Sequence, residues 1–238
     1  MKKTTTKYGL LAISLMVLGG VMSAEAGLFG FGGDSWKEEV LLHDGSKIIV
    51  KRSQTYGGRH EIGQKPPIKE QELTFTLPNS SRAITWKSEY SEDIGRANLN
   101  LLALHVLNGT PYIVAEPNLC LAYNKWGRPN PPYVFFKYDG KAWQRISLSA
   151  FPATFKDINV VVSTKRHQDT LTAQTVITAL RVRELNSDLE QAEYKTILRE
   201  PLAKERIDQM CEERILYKGS WILPNDPIAR KFIDQQKK

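Results

Sequence analysis

Three X-Gly pairs constrain this chain more than any other feature: Asp44-Gly45, Asn108-Gly109 and Asp139-Gly140, each set between apolar runs. A two-residue reversal of the tight hairpin type needs φ > 0 at both central positions, and Asn-Gly or Asp-Gly supplies it at least cost. Pairing outward from Asp44-Gly45 as a two-residue loop sets Leu41 against Ile48, Val40 against Ile49 and Glu38 against Lys51. From Asn108-Gly109, Leu104 meets Ile113, Ala103 meets Val114, Leu102 meets Ala115, and Pro111 falls opposite Val106. These strands are apolar on both faces, which predicts that they lie inside the protein. From Asp139-Gly140, Phe136 meets Trp143, Phe135 meets Gln144 and Tyr133 meets Ile146.

Further strands are predicted at Glu72–Leu77, Ala83–Lys87, Ile158–Ser163 and Thr172–Val182, the last two from their β-branched content. About nine strands with local reversals point to a mainly β fold, an antiparallel β-sandwich or open barrel built from hairpins. The period then changes. Ser187-x-x-Glu190 reads as a capping box before a helix to about Arg199, and Pro201 suits the first turn of a second helix. Ala203, Ile207, Met210, Cys211 and Ile215 form one apolar stripe of that helix, which Lys218-Gly219 would end. Trp221, Ile222 and Leu223 are expected to dock behind it. The expectation is a C-terminal two-helix appendage packed on the β domain.

The N-terminus carries a three-part export pattern. Lys2, Lys3 and Lys7 precede an uncharged apolar stretch from Tyr8 to Met22, and Ala24-Glu25-Ala26 offers small residues at a cleavage site. The stretch is about 15 residues long, short of the ~20 that span a bilayer. The expected organisation is a cleaved signal peptide over 1–26, a flexible Gly/Phe-rich lead-in over 27–36, an antiparallel β domain over 37–182, and a helical segment with a polar tail over 183–238. No transmembrane segment remains in the mature chain. In an exported protein, Cys120 and Cys211 are most simply a disulfide pair, the other reading being two buried thiols.

The net charge of +7 is spread thinly along the chain, which argues against a nucleic-acid partner. No Cys-x-x-Cys is present and the four histidines (His43, His60, His105, His167) show no ligand spacing, so no metal is expected. No Gly-x-Ser-x-Gly elbow or His-Glu-x-x-His occurs, and no cofactor is implied. Thr55-Tyr-Gly-Gly-Arg-His60 reads as a polar hairpin loop, with an anion cradle as the alternative. Glu89, Glu92 and Asp93 form a carboxylate cluster that spacing alone does not place around a cleft.

The richest segment runs from Cys120 to Tyr133. Tyr123, Trp126, Arg128 and Tyr133, stiffened by prolines, make it the candidate binding segment, because rings beside amide and guanidinium donors suit a glycan or peptide groove. The reading that follows is an exported, non-enzymatic binding or interaction module of the cell envelope. Its expected partner is an envelope glycan, an anionic polymer or another envelope protein. The alternatives are an envelope hydrolase, with His60, His105, Glu89, Glu92 and Asp93 drawn together in a pocket, and an accessory subunit of a secretion or surface assembly.

Overall fold

The structure is a computed structural model, and it describes residues 32–78 and 80–227, with 230, 231 and 235. The expected signal peptide, half of the lead-in and most of the polar tail therefore lie outside the described residues.

The fold is mainly β. The first four strands, β1 (Gly33–Leu41), β2 (Lys47–Tyr56), β3 (Ile68–Thr76) and β4 (Ala83–Ser88), make one antiparallel meander in the order β1-β2-β3-β4. A short hairpin, β5 (Tyr90–Ser91) and β6 (Arg96–Ala97), leads to the second meander. That sheet holds β7 (Leu99–Leu107), β8 (Thr110–Pro117), β9 (Val134–Tyr138) and β10 (Trp143–Ile146), in the order β10-β9-β8-β7. The strand expected to begin after a lead-in ending at Trp36 starts earlier, at Gly33.

The hairpins are where expected, but two of the three registers differ. Around Asp44-Gly45, Val40 pairs with Ile48 and Leu41 with Lys47, one residue away from a two-residue loop. Asp44 Oδ1 accepts from both the backbone N–H and the hydroxyl of Ser46, and Leu42 N–H bonds Ser46 O, so the reversal takes three residues. The shift decides the inward face, because a one-residue slip turns every side chain over. Val40, Leu42, Ile48 and Val50 now enter the core together.

Around Asp139-Gly140 the loop is four residues long. Asp139 Oδ1 accepts from the N–H groups of Lys141 and Ala142, and Tyr138, not Phe136, faces Trp143. The Asn108-Gly109 register holds from Leu107 to Ala103, with Asn108 and Gly109 both at positive φ. A bulge then leaves Leu102 unpaired and sets Leu101 opposite Ala115. The bulge sends Leu101 into the cluster shared with the first sheet and Leu102 into the one on the other side.

Val40, Val50, Leu73 and Trp86 from the first sheet share one core with Leu104, Ile113 and Val134 from the second. The opposite face of the second sheet packs Leu102, Val114 and Phe135 against Phe151, Phe155 and Ile197, so this sheet is covered on both sides, as its continuous apolar runs require.

The stretches at 158–163 and 172–182 were expected as strands and are not. Ile158–Ser163 is largely buried, but no neighbouring strand pairs with it, and side chains take up the backbone of Val160, Val161 and Val162. Asn186 spans it, accepting from Val162 N–H and donating to Val160 O, while Arg52 donates to Val161 O. Beyond it lie α2 (Gln168–Ala173) and α3 (Ala179–Leu185), the latter capped by Thr178, whose hydroxyl accepts from Arg181 N–H. Ile177 alone is strand-like, forming a parallel bridge to Glu38 on the outer edge of β1.

Asn159 is the most economical joint of the fold. Its amide accepts from Leu104 N–H at 3.0 Å and donates to Leu104 O at 2.7 Å and to Leu41 O at 3.0 Å. One side chain thus stands in for a peptide unit on the edge of β7 and ties it to β1. Asn159→Leu strands those backbone groups and is expected to cost about 2–3 kcal/mol, read as a lower urea midpoint at unchanged slope.

Glu38 and Arg52 form a buried ion pair at 3.2 Å, completed by Trp36 Nε1 donating to Glu38 at 2.9 Å. Each charge depends on the other, since either alone would be buried without compensation.

The C-terminal part departs most from expectation. Ser187 follows the end of α3 and donates to Glu184 O, so the apparent capping box closes a helix instead of opening one. Among the described residues this part holds α4 (Ala192–Lys195) and α5 (Lys204–Met210), with helical residues again at 227 and beyond. Ile215 lies in β11 (Ile215–Tyr217), which pairs with β12 (Ser220–Ile222) through Lys218-Gly219, both at positive φ. The pair read as a helix stop is a fourth X-Gly hairpin turn.

Candidate functional site

Cys120 and Cys211 form a disulfide. It joins α1 (Leu119–Lys125) to the end of α5, within a small cluster holding Tyr123, Ile207, Leu202 and Met210.

Of the candidate binding residues, Tyr123 and Arg128 sit at this joint, and all four are buried or partly buried. Tyr123 is buried, with its hydroxyl donating to Pro129 O and the Arg128 guanidinium over its ring. Arg128 also donates to Cys211 O at 2.9 Å and to Asn124 Oδ1. Tyr133 is buried, its hydroxyl donating to Glu193 O at 2.8 Å; burial raises its pKa. Trp126 lies half-buried against Phe136, with Arg145 over its ring. The Tyr123 and Tyr133 hydroxyls are spent on backbone carbonyls, and Trp126 packs on side chains of the second sheet. The segment ties the second sheet to the C-terminal part through Arg128 and the disulfide.

The residues of the hydrolase alternative sit in different settings: the loop carrying His60 packs on the turn carrying Glu92 and Asp93, while His105 lies inside β7. His105 is fully buried, stacked on Phe155 with centroids 4.6 Å apart, and its Nε2 faces Asp157 O at 2.9 Å. Desolvation pushes its pKa down to about 4. His60 is exposed and folds onto Gly58 O, and Glu89 and Glu92 are exposed. Asp93 pairs with Lys125 at 2.7 Å, which holds its carboxyl below the ordinary range against the opposing effect of burial. Among the described residues no cluster of three or more His, Cys, Asp or Glu side chains is placed to hold a metal.

The Gly57-Gly58 loop is explained by packing. A Cβ on Gly58 would lie 2.3 Å from Gly95 O, and Arg59 N–H bonds that same oxygen. The glycines let the loop press against the turn between β5 and β6.

The open surface lies at the other end of the strands. Because both sheets are meanders, the β1–β2, β3–β4, β7–β8 and β9–β10 turns gather at one end. Two concavities lie among them, of about 580 and 430 Å³. Leu77, Ser80 and Gly109 line both, so they adjoin. Arg82, Lys137, Tyr138, Asp139 and Gln144 line the larger, while His43 and Asp44 line the smaller. Arg82 donates to Gly140 O at 3.1 Å, and Trp143 Nε1 donates to Thr85 O at 2.7 Å, so the β9–β10 hairpin is bound to the first sheet. Asp44 and Asp139 are held in the ionised form by the turn hydrogen bonds they accept. Sequence reading found all four turns or their strands, but not that they converge, because the order of two sheets in space is not written in local pattern.

Compared with known proteins, the chain matches no family model, no curated protein and no solved structure. Among the described residues no helix is long and apolar enough to cross a membrane.

Proposed function

We propose that this chain is an exported, non-enzymatic binding module of the cell envelope, its two sheets packed as a sandwich, that holds a glycan strand in the groove between its hairpin turns. The carrying observation is the pair of adjoining concavities framed by turns from both sheets. Turns on a rigid sheet end are a common place for recognition, since the scaffold fixes their spacing at little entropic cost. The lining suits a sugar polymer: an aromatic face in Tyr138, flanked by the cationic and amide groups of Arg82, Lys137 and Gln144. The disulfide supports export, as such bonds persist in oxidising compartments.

The test is co-sedimentation of the full chain with purified peptidoglycan, with lipopolysaccharide and an envelope-protein extract run in parallel. Retention on the glycan, weakened at least tenfold by Lys137→Ala combined with Gln144→Ala at unchanged unfolding midpoint, is the expected outcome. Retention that the double variant leaves intact, or retention on the protein extract alone, would sink the glycan groove.

A further inference from the structure

A second cavity lies away from the turns. There the start of β7 and the end of β8 meet residues 162–166 and α4, leaving a space of about 390 Å³. Asn100, Glu116, Thr164, Lys165, Arg166 and Tyr194 line it. The Glu116 carboxylate is organised there: the Tyr194 hydroxyl donates to one oxygen at 2.8 Å and the Asn100 amide to the other at 3.3 Å. Asn100 is itself oriented by Gln71, which donates to its Oδ1 at 3.2 Å.

Both of these donors are neutral. Among the described residues no Lys, Arg or His forms a salt bridge with Glu116, and the charge it feels nearby is Glu193, of like sign. A carboxylate partly withdrawn from water without a counter-ion is costly. Each of its oxygens accepts one protein hydrogen bond and keeps a lone pair for another donor. At the rim stand two cations: Lys165, which pairs with no acid among the described residues, and Arg166, which meets Asp188. Negative charge at the floor and positive charge at the rim are thus separated across a space large enough for a molecule of one or two residues.

We propose that this cavity binds a small zwitterion of the amino-acid or dipeptide type, its ammonium on Glu116 and Tyr194 and its carboxylate toward Lys165 and Arg166. An ammonium supplies the missing counter-charge and up to three donors. The site is independent of the turn groove, and its failure leaves that reading untouched.

The groups that act on Glu116 are Tyr194 and Glu193 of α4 and Asn100 of β7, with Glu193 itself paired to Arg206; Tyr133 before β9 feels Glu116 in turn, and Lys165 and Arg166 stand at the rim. Burial, with the like charge of Glu193, raises the Glu116 pKa to about 7, so the ammonium partner is present at pH 8 and protonated away at pH 5.

Titration calorimetry on the full chain tests this, with glycylglycine, ethylamine and acetate each to about 10 mM. Glycylglycine is expected to bind at pH 8 and to weaken tenfold or more at pH 5. Glu116→Gln should remove that binding at pH 8. Lys165→Ala, on the exposed rim, should weaken glycylglycine severalfold and leave ethylamine unchanged. No binding of glycylglycine at pH 8, equal affinity at both pH values, or an affinity that Lys165→Ala leaves intact would each overturn the proposal.

Discussion

Replacing Cys120 and Cys211 together by serine is expected to lower the unfolding free energy by roughly 4–5 kcal/mol, the largest effect of any substitution considered for this chain. The bridge spans a sequence separation of 91 residues, and a cross-link that long removes much of the unfolded chain's freedom. Little else could make up the loss. The cluster around the bridge is small, and the remaining ties there are single polar contacts. Asn130 exchanges both amide hydrogen bonds with Leu202, Asn124 bonds Glu212 O and Arg214 N–H, and Arg128 reaches Cys211 O. Each is worth about 1 kcal/mol while the segment is held, and loses value once it is free to move. Urea unfolding of the double variant against the oxidised protein measures the difference. A loss under about 1 kcal/mol would mean that the non-covalent ties suffice.

The second large effect is hidden in the parent protein by cancellation. His105 is buried neutral, and its pKa in the fold is about 4 against an ordinary 6.5. The unfolded chain takes up that proton first, so this contribution is complete above pH 6.5 and is lost as pH falls toward 4. Its cause is desolvation, aided by the positive charge of Arg199 and by His43, and opposed by Asp157. Glu116 runs the other way. Its pKa of about 7 against an ordinary 4.5 means that the fold keeps a proton the unfolded chain has released. That contribution is complete below 4.5 and is lost as pH rises through 7.

Each group is worth roughly 3 kcal/mol over its window, with Glu116 the smaller because its cavity is open to water. Between pH 7 and 4.5 the two nearly cancel. Glu116→Gln should therefore lose about 2 kcal/mol on acidification over this range, and His105→Gln, which keeps a donor for Asp157 O, should gain a similar amount. Urea midpoints at pH 7, 6 and 4.5 for the three proteins would show it. Three parallel curves would refute the assignment of these groups.

What local pattern carries, it carried well. The turns at Asp44-Gly45, Asn108-Gly109 and Asp139-Gly140 follow from the need for positive φ, and the double-sided burial of β7 and β8 from their unbroken apolar runs. The disulfide followed from the compartment implied by the N-terminus. Loop length did not emerge, because it is set by which backbone groups the Asp44 and Asp139 carboxylates happen to accept from. Ile158–Ser163 misled for a related reason: burial and β-branching are visible in sequence, whereas a ladder supplied by Asn186 and Arg52 is not. Lys218-Gly219 could have been read as a hairpin, given Ile-Leu-Tyr before it and Ser-Trp-Ile after. The use of the segment from Cys120 to Tyr133 was the least legible. Its aromatic and proline content is real, but aromatic rings beside arginines serve packing as well as recognition, and only Tyr123 and Tyr133 seen in place decide between them.

Asn159 and Ile177 have a consequence for how the molecule is made. Both sheets are complete in the chain by Ile146, yet the side chain that covers the rim of β7 and the residue that bridges the rim of β1 arrive only afterwards. During synthesis the sheets can assemble with those rims bare, and a bare rim is a template for another chain. The last third of the polypeptide is thus a seal, and the interval before it closes is when the protein is most exposed to sticking to its own copies.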